Sequence, residues 1–222
     1  MESNQLECQR CGNCCVSGGP ALHSEDRRLV LEGHLPLAQL ITIRKGELAY
    51  NPLSDTIQPV KRELVKISGV GREWNCYYFD PEQRGCTIYD MRPQACKALR
   101  CWDTEEVEAL IETDTLERLD LLADDDPLRP LIVEHEQLFP CPDMLQLQQD
   151  GPGNRAAELE QRANDEIGYR TQAVQRFDLS LGEELFYFGR PLFHLFVSIG
   201  AEVMEVEGRL LITWKKASRS TT

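Results

Sequence analysis

Apolar positions recur with helical spacing along the second half of the chain. Between Thr104 and Ala123 they lie three to five residues apart with acidic residues between them, which is typical of an amphipathic helix. Further helices are predicted from about Leu128 to Leu138 and from Arg155 to about Phe177. The Gly- and Pro-containing stretch at residues 150–154 separates these two helices.

The last forty residues predict helix followed by a hairpin. Residues 181–199 are rich in aromatic side chains and predict helix around Pro191, a residue suited to a first helical turn. Residues 202–206 and 209–214 then flank Glu207-Gly208, a dipeptide that favours a tight turn between two strands. We therefore expect the chain to end in a β-hairpin.

The first hundred residues lack such periodicity and contain many turn-forming residues. Long loops of this kind are usually ordered by something, and a bound metal would serve. We predict an α+β fold with two regions. Residues 1–102 form a loop-rich, metal-organised cysteine lobe with short strands. Residues 103–222 form a mainly helical region with the terminal hairpin, packed as one unit with the first.

Composition places the chain among soluble globular proteins, with 41% hydrophobic and 27% charged residues in 222. Residues 1–7 are polar and acidic, unlike a secretory leader. The most apolar stretch, residues 185–206, is interrupted by Arg190, His194 and Glu202, so it does not predict a membrane span. We expect a cytoplasmic protein, in which clustered cysteines bind metal or perform redox chemistry more often than they form disulfides.

The formal net charge of −13 lies in one part of the chain, because residues 102–150 alone carry −13. Nucleic-acid binding is disfavoured, since phosphate contacts need a basic face. The acidic segment is either a docking surface for a basic protein partner or a solvated helix face that aids solubility. The second interpretation is preferred.

Eight of the nine cysteines form two clusters. The first is Cys8-x-x-Cys11-Gly12-Asn13-Cys14-Cys15, in which a CxxC spacing can place two sulfurs on one metal. Gly12 allows the backbone to turn and point N–H groups at a thiolate. The three-cysteine run is similar to bacterial ferredoxin spacing, where three thiolates hold three corners of a four-iron cluster. Cys8, Cys11 and Cys14 are therefore the best candidates for one shared centre.

The second cluster is spread more widely and consists of Cys76, Cys86, Cys96 and Cys101. Aromatic residues between its members would exclude water from a centre, although ordinary core packing explains them equally well. The ninth cysteine, Cys141, lies between two prolines outside both clusters and is interpreted as a structural or free thiol. All eight clustered cysteines are candidate metal ligands.

The residues alone leave the metal and the number of sites open. Zinc and iron–sulfur clusters both accept four cysteine thiolates. Adjacent cysteines such as Cys14 and Cys15 do not easily serve one small tetrahedral site, so one of them faces a second metal or stays free. The histidines are scattered and are better interpreted as core or solvent residues.

Two motifs together carry a family resemblance. Cys8-x-x-Cys11-x-x-Cys14-Cys15, followed by the run GCTIYDMRPQAC from Gly85 to Cys96, resembles the CxxCxxCC family of zinc- or iron-chelating cysteine-cluster proteins. The cysteine signature is also distantly similar to that of the bacterial flagellin lysine methylases, which are linked to a four-iron cluster that supports methyl transfer. This resemblance favours an iron–sulfur cluster, of the [4Fe–4S] type, with zinc as the alternative.

Three functions compete on this basis. The first is a metal-binding protein that holds iron–sulfur or zinc for redox, sensing or metal handling. The second is an iron–sulfur-dependent enzyme such as a protein-modifying methyl transferase. The third is an interaction module folded by structural zinc. Gly69-Val70-Gly71 precedes no predicted helix and is no nucleotide motif. CxxCxxC also differs from the CxxxCxxC of radical S-adenosylmethionine enzymes. No catalytic residue is predicted.

Overall fold

The computed structural model describes residues 7–214, and in this range it has the predicted α+β architecture. Short strands dominate the first half and helices the second. The α-helices of the described range are α1 (Asn13–Val16), α2 (Arg27–Leu31), α3 (Gln94–Ala98), α4 (Glu105–Glu108), α5 (Arg129–Leu138), α6 (Met144–Asp150), α7 (Ala156–Phe177), α8 (Leu181–Phe188) and α9 (Leu192–Ser198).

The strands pair in antiparallel twos. The pairs are β1 (Leu40–Ile43) with β4 (Leu64–Ile67), β2 (Leu48–Asn51) with β3 (Thr56–Pro59), β5 (Gly69–Val70) with β6 (Asn75–Cys76), β7 (Phe79–Asp80) with β8 (Gly85–Cys86), and β9 (Ala201–Val206) with β10 (Arg209–Trp214). The pair β9–β10 is the predicted C-terminal hairpin. At its turn both Glu207 and Gly208 have positive φ, as a two-residue turn of this type requires.

The main hydrophobic core joins the two halves of the chain. Strand β1 is buried along its whole length because α8 packs against it. The hydroxyl of Thr42 donates to the carbonyl of Phe186 at 2.5 Å, and Phe186 and Phe188 are fully buried. A second cluster of apolar side chains gathers α6, α7, α9 and the terminal hairpin. Burial of this apolar surface is the principal stabilising term for both clusters.

The helices predicted at 128–138, 155–177 and around Pro191 are present, but the long helix predicted over residues 104–123 is wrong. Only α4 and a short 3₁₀ turn at Arg118–Leu121 form there. Leu116 instead pairs like a strand residue: its amide donates to Leu22 and its carbonyl accepts from Val65, both at 2.9 Å. These long-range bonds outweigh the local helical preference.

A network of buried charges spans both halves. The guanidinium groups of Arg44, Arg118 and Arg170 are almost completely buried. Arg44 donates to Glu136 at 2.8 Å, and Arg118 donates to Glu63 at 2.6 Å and also to Glu136. Since Arg44 and Glu63 lie in the first half and Glu136 in α5, these ion pairs connect the strands to the helices.

The acidic segment also pairs with basic residues that precede it. Three exposed ion pairs do this: Lys61–Glu112 at 2.9 Å, Arg62–Glu117 at 3.0 Å and Arg100–Glu106 at 2.7 Å. Part of the negative charge of residues 102–150 is therefore offset within the molecule. Among the described helices, none has the length and apolarity needed to cross a membrane.

Candidate metal centre

Short elements present the clustered cysteines. Cys14 and Cys15 lie in α1, Cys76 ends β6, Cys86 ends β8, and Cys96 lies in α3. The remaining members, Cys8, Cys11 and Cys101, lie outside helices and strands, before α1 and after α3. Loops and tight turns rather than a regular scaffold therefore position most of the sulfurs.

Gly12 fixes the position of the first cluster. Its φ is +78°, and a Cβ there would lie 2.5 Å from the Phe79 ring and 2.9 Å from the carbonyl oxygen of Arg84. Only glycine allows both the backbone turn and this close approach. Helix α1 consequently rests on the turn between β7 and β8, close to Cys86. In the same loop the amide of Arg10 donates to the sulfur of Cys8 at 3.4 Å.

Asp26 fixes the start of α3, which carries Cys96. One carboxylate oxygen accepts from the amide of Gln94 at 2.8 Å, and the other accepts from the amide of His23 at 3.0 Å. Asp26 is only 2% exposed. The first amides of a helix have no partner inside it, so this buried carboxylate ties α3 to the segment before α2.

The two sequence clusters meet at Cys15. The sulfurs of Cys14 and Cys15 are 3.9 Å apart, and the thiol of Cys15 also hydrogen-bonds with that of Cys86. Cys76 and Cys96 are close enough to influence the charge of these thiols. Cysteines separated by seventy residues in the sequence are therefore brought into one pool.

Hydrogen bonds within this pool divide the thiols into donors and acceptors. The bond from Cys15 lowers the pKa of Cys14 to about 6, and a similar bond lowers the pKa of Cys86 to about 6. The same two bonds raise the pKa of Cys15. Burial raises the pKa of Cys96 to about 12. Near neutral pH, Cys15 thus carries the proton between two thiolates.

Two arginines and a tyrosine lie beside the pool. The guanidinium carbons of Arg10 and Arg92 are 3.9 Å and 3.6 Å from the centre of the Tyr89 ring. Arg92 also donates to the Tyr89 carbonyl at 2.7 Å, and its charge contributes to the lowered pKa of Cys14 and Cys86. These cation–π contacts hold the loop of Cys8 and Cys11 near the second half of the signature.

Comparison with known proteins agrees with this arrangement. Residues 7–113 match the model of the CxxCxxCC family, which is described as a zinc- or iron-chelating domain. This match covers just under half of the chain, and we call the matched residues the CxxCxxCC domain. No curated protein and no solved structure matches the chain. The resemblance seen in the sequence is confirmed, and all eight clustered cysteines fall inside the CxxCxxCC domain.

The donor set of the CxxCxxCC domain suits a thiophilic metal, because thiolates converge and two of them have a lowered pKa. Among residues 7–214, however, no three His, Cys, Asp or Glu side chains already stand in metal-ligating geometry. Cys8, Cys11, Cys14 and Cys101 are exposed, so these four thiols are accessible from solvent. Metal binding would require the thiols to move closer together than they lie here.

Cys141 lies apart from the CxxCxxCC domain in sequence and contacts a different set of groups. A Cβ on Gly46 would lie 3.4 Å from its Cβ, and Arg44, Glu47 and Glu136 of the buried network surround it. Burial raises its pKa to about 12, so its thiol stays protonated. Cys141 is therefore a half-buried, protonated thiol that lies outside the signature.

Asp26 and Tyr89 help to position the thiols, and the sequence alone identifies neither residue in that role. The sequence of α3 does not indicate that a distant carboxylate accepts a hydrogen bond from its first amide. Arg10 and Arg92 can be seen in the sequence as basic residues near cysteines. Arg10 reaches the Tyr89 ring, however, only because the long segment between these two residues folds back on itself. Neither interaction has a local sequence signal.

Proposed function

We propose that the CxxCxxCC domain binds an iron–sulfur cluster, most simply [4Fe–4S], with zinc as the alternative metal, and that it serves redox, sensing or metal handling in the cytoplasm. The observation that carries this proposal is the contact of Cys15 with both Cys14 and Cys86, which joins the two halves of the signature. The proposed ligands are Cys8, Cys11, Cys14, Cys15, Cys76, Cys86, Cys96 and Cys101.

The protonation of the thiols supports metal binding at neutral pH. A thiol must lose its proton before it can ligate, and Cys14 and Cys86 have a pKa of about 6. Cys15 would release the proton that it holds between them when a metal takes its place. Arg92 would offset part of the negative charge that several thiolates bring to one centre.

The choice of iron–sulfur over zinc is supported by the surroundings of the thiols and by the resemblance to flagellin lysine methylases. Tyr78 is buried and Phe79 and Tyr89 are half-buried beside the cysteines, and such rings limit the access of water to a centre. When bound, an iron–sulfur cluster supplies electron transfer, whereas zinc supplies a structural cross-link.

A basic protein partner for residues 102–150 belongs to the same proposal. Helix α4 supports it, because Glu105, Glu106 and Glu108 are exposed there directly after Cys101. A partner with basic side chains would meet these carboxylates beside the metal-binding domain. The pairing of Glu106 with Arg100 limits the charge that remains available.

Anaerobic purification tests the metal and its identity. We expect brown protein with broad absorbance at about 400 nm, together with iron and acid-labile sulfide. Cys86→Ser should lose most of this metal, because Cys86 contacts Cys15. Cys141→Ser is the matched control and should keep all of it.

Three different results would each contradict a different part of the proposal. Colourless protein with stoichiometric zinc and no acid-labile sulfide would exclude the iron–sulfur form while leaving the thiolate site. Full metal content in Cys86→Ser would show that the ligand assignment is wrong. Wild-type protein that takes up neither metal would exclude metal binding altogether.

A further inference from the structure

Exposure to solvent separates the eight cysteines into two equal sets. Cys15 and Cys76 are buried, and Cys86 and Cys96 are half-buried. The other four are exposed, namely Cys8, Cys11, Cys14 and Cys101. This division cuts across the two sequence clusters, because Cys15 joins three members of the second and Cys101 joins three members of the first.

Three of the four less exposed cysteines belong to the main hydrophobic core or pack against it. Cys15 and Cys76 belong to the same apolar cluster as Leu22 and Val65, and Cys86 packs against it. Helix α1 contacts β6, which places Cys15 next to Cys76, while Cys15 also hydrogen-bonds with Cys86. The buried carboxylate of Asp26 holds the start of α3 and with it Cys96. We call these four the inner set.

The exposed set, which we call the outer set, gathers around Cys14. Consecutive residues of a helix point about 100° apart, so Cys14 faces outward while Cys15 faces the core. The thiols that neighbour Cys101 are those of Cys14, Cys11 and Cys8. The contact of Arg10 with Tyr89 keeps the loop between Cys8 and Cys11 near them.

We propose that the CxxCxxCC domain holds two four-thiolate metal centres of unequal exposure, the inner on Cys15, Cys76, Cys86 and Cys96, and the outer on Cys8, Cys11, Cys14 and Cys101. The proposal rests on the metal-binding function proposed above. Its two centres adjoin at the 3.9 Å contact between Cys14 and Cys15.

Unequal exposure gives the two centres different roles. The inner centre is enclosed by core side chains, so its metal leaves only when the domain opens and it stabilises the fold. The thiols of the outer centre are exposed, so its metal exchanges with solvent or with a partner. Metal handling or sensing would then belong to the outer centre.

The test uses the full chain loaded anaerobically with Zn²⁺ alone. Zinc per chain is measured first, and its release to excess EDTA is then followed in time. Wild-type protein should hold two zinc ions and release them in a fast and a slow phase of similar amplitude. Cys8→Ser and Cys101→Ser should each abolish the fast phase, halve the zinc content and leave the slow phase unchanged.

Cys96→Ser is the matched inner variant and should abolish the slow phase, while Cys141→Ser should release zinc as wild type does. If Cys96→Ser does not fold, the two outer variants still decide between one metal centre and two. One zinc per chain in wild type, lost from inner and outer variants alike, would overturn the two-centre proposal and leave metal binding intact. Wild type that holds no zinc would overturn the two-centre proposal, and the anaerobic iron and sulfide analysis then decides the proposed function separately.

Discussion

At the scale of single residues, the adjacent pair Cys14 and Cys15 shows how one position alters the chemistry of the next. Cys15 is buried and donates its proton to neighbouring sulfurs, whereas Cys14 is exposed and has a pKa of about 6. The cause is the hydrogen bond between the two sulfurs, which lowers the pKa of Cys14 and raises that of Cys15. Two identical side chains therefore act as thiol and thiolate.

His135 is a second residue whose state depends on its surroundings. Its Nε2 lies 2.9 Å from Glu166, and both side chains are fully buried. Burial would raise the pKa of Glu166, but Arg170, His135 and Arg44 together hold it at about 2. Neutral His135 thus donates from Nε2, and its Nδ1 has no hydrogen-bond partner among residues 7–214.

The stability of the protein should fall in mild acid because of His135. Burial lowers its pKa from 6.5 to about 4, so the unfolded chain binds a proton between these values and the folded chain does not. The free energy of unfolding should therefore decrease as the pH falls from 6.5 to 4, by about 3 kcal/mol from this group. Urea denaturation across this range measures the effect.

His135→Gln keeps an N–H donor for Glu166 but does not titrate, so its stability should change less over the same pH interval. His34→Gln is the control, since His34 is a surface residue beside Glu32. Equal pH profiles for wild type and His135→Gln would show that His135 is not the group responsible.

At the scale of elements, α3 is a helix that would not form in isolation. It has five residues, far fewer than an isolated helix needs in water. Its N-terminal amide is satisfied by Asp26, 68 residues earlier in the chain. The position of Cys96 therefore depends on a carboxylate in another element.

Asp26→Ala should lower metal content while the protein stays folded. The change removes two buried hydrogen bonds, at a cost of about 1–3 kcal/mol, and releases the start of α3. Metal analysis and thermal unfolding are measured together. Combined with Cys96→Ser, the variant should lose no more metal than Cys96→Ser alone, because both changes act on the same ligand.

Ser180→Ala provides the matched control for a lost helix cap. Ser180 accepts from the amide of Glu183 at the start of α8, and its removal should cost about 1 kcal/mol with no change in metal content. If Asp26→Ala also retained its full metal content, Asp26 would have no part in positioning Cys96.

At the scale of the whole molecule, buried ion pairs bind the strand-rich half to the helical half. Arg118 donates to Glu63 in the first half and to the carbonyl of Tyr187 in α8, at 2.6 Å each. It also reaches Glu136 in α5. The region proposed to bind metal and the helices beyond it therefore share one interior.

Arg118→Met should destabilise the protein by about 3 kcal/mol or more, because it leaves the carboxylate of Glu63 without its buried partner and leaves Glu136 with Arg44 alone. Arg62→Met is the matched control: the pair of Arg62 with Glu117 is exposed and should contribute less than about 1 kcal/mol. The midpoint of urea unfolding compares the two variants. Equal midpoints would contradict a structural role for the network.

The sequence by itself determined the features that depend on neighbouring residues. The helical periodicity of residues 128–138 and 155–177 predicted α5 and α7 to within a residue or so. The turn pair Glu207-Gly208 predicted the hairpin, and the spacing of the cysteines predicted a thiolate site of the CxxCxxCC type. Each of these signals lies within a few residues or in a short motif.

Only the tertiary structure decided the features that depend on distant contacts. The sequence grouped Cys15 with Cys8 and Cys11, whereas packing places Cys15 in the core beside Cys86. It predicted helix at Leu116, which instead bonds to Leu22 and Val65. The caps and ion pairs of Asp26 and Arg118 join segments about 55 to 70 residues apart. Such contacts are set by burial and chain closure, which leave no local pattern to read.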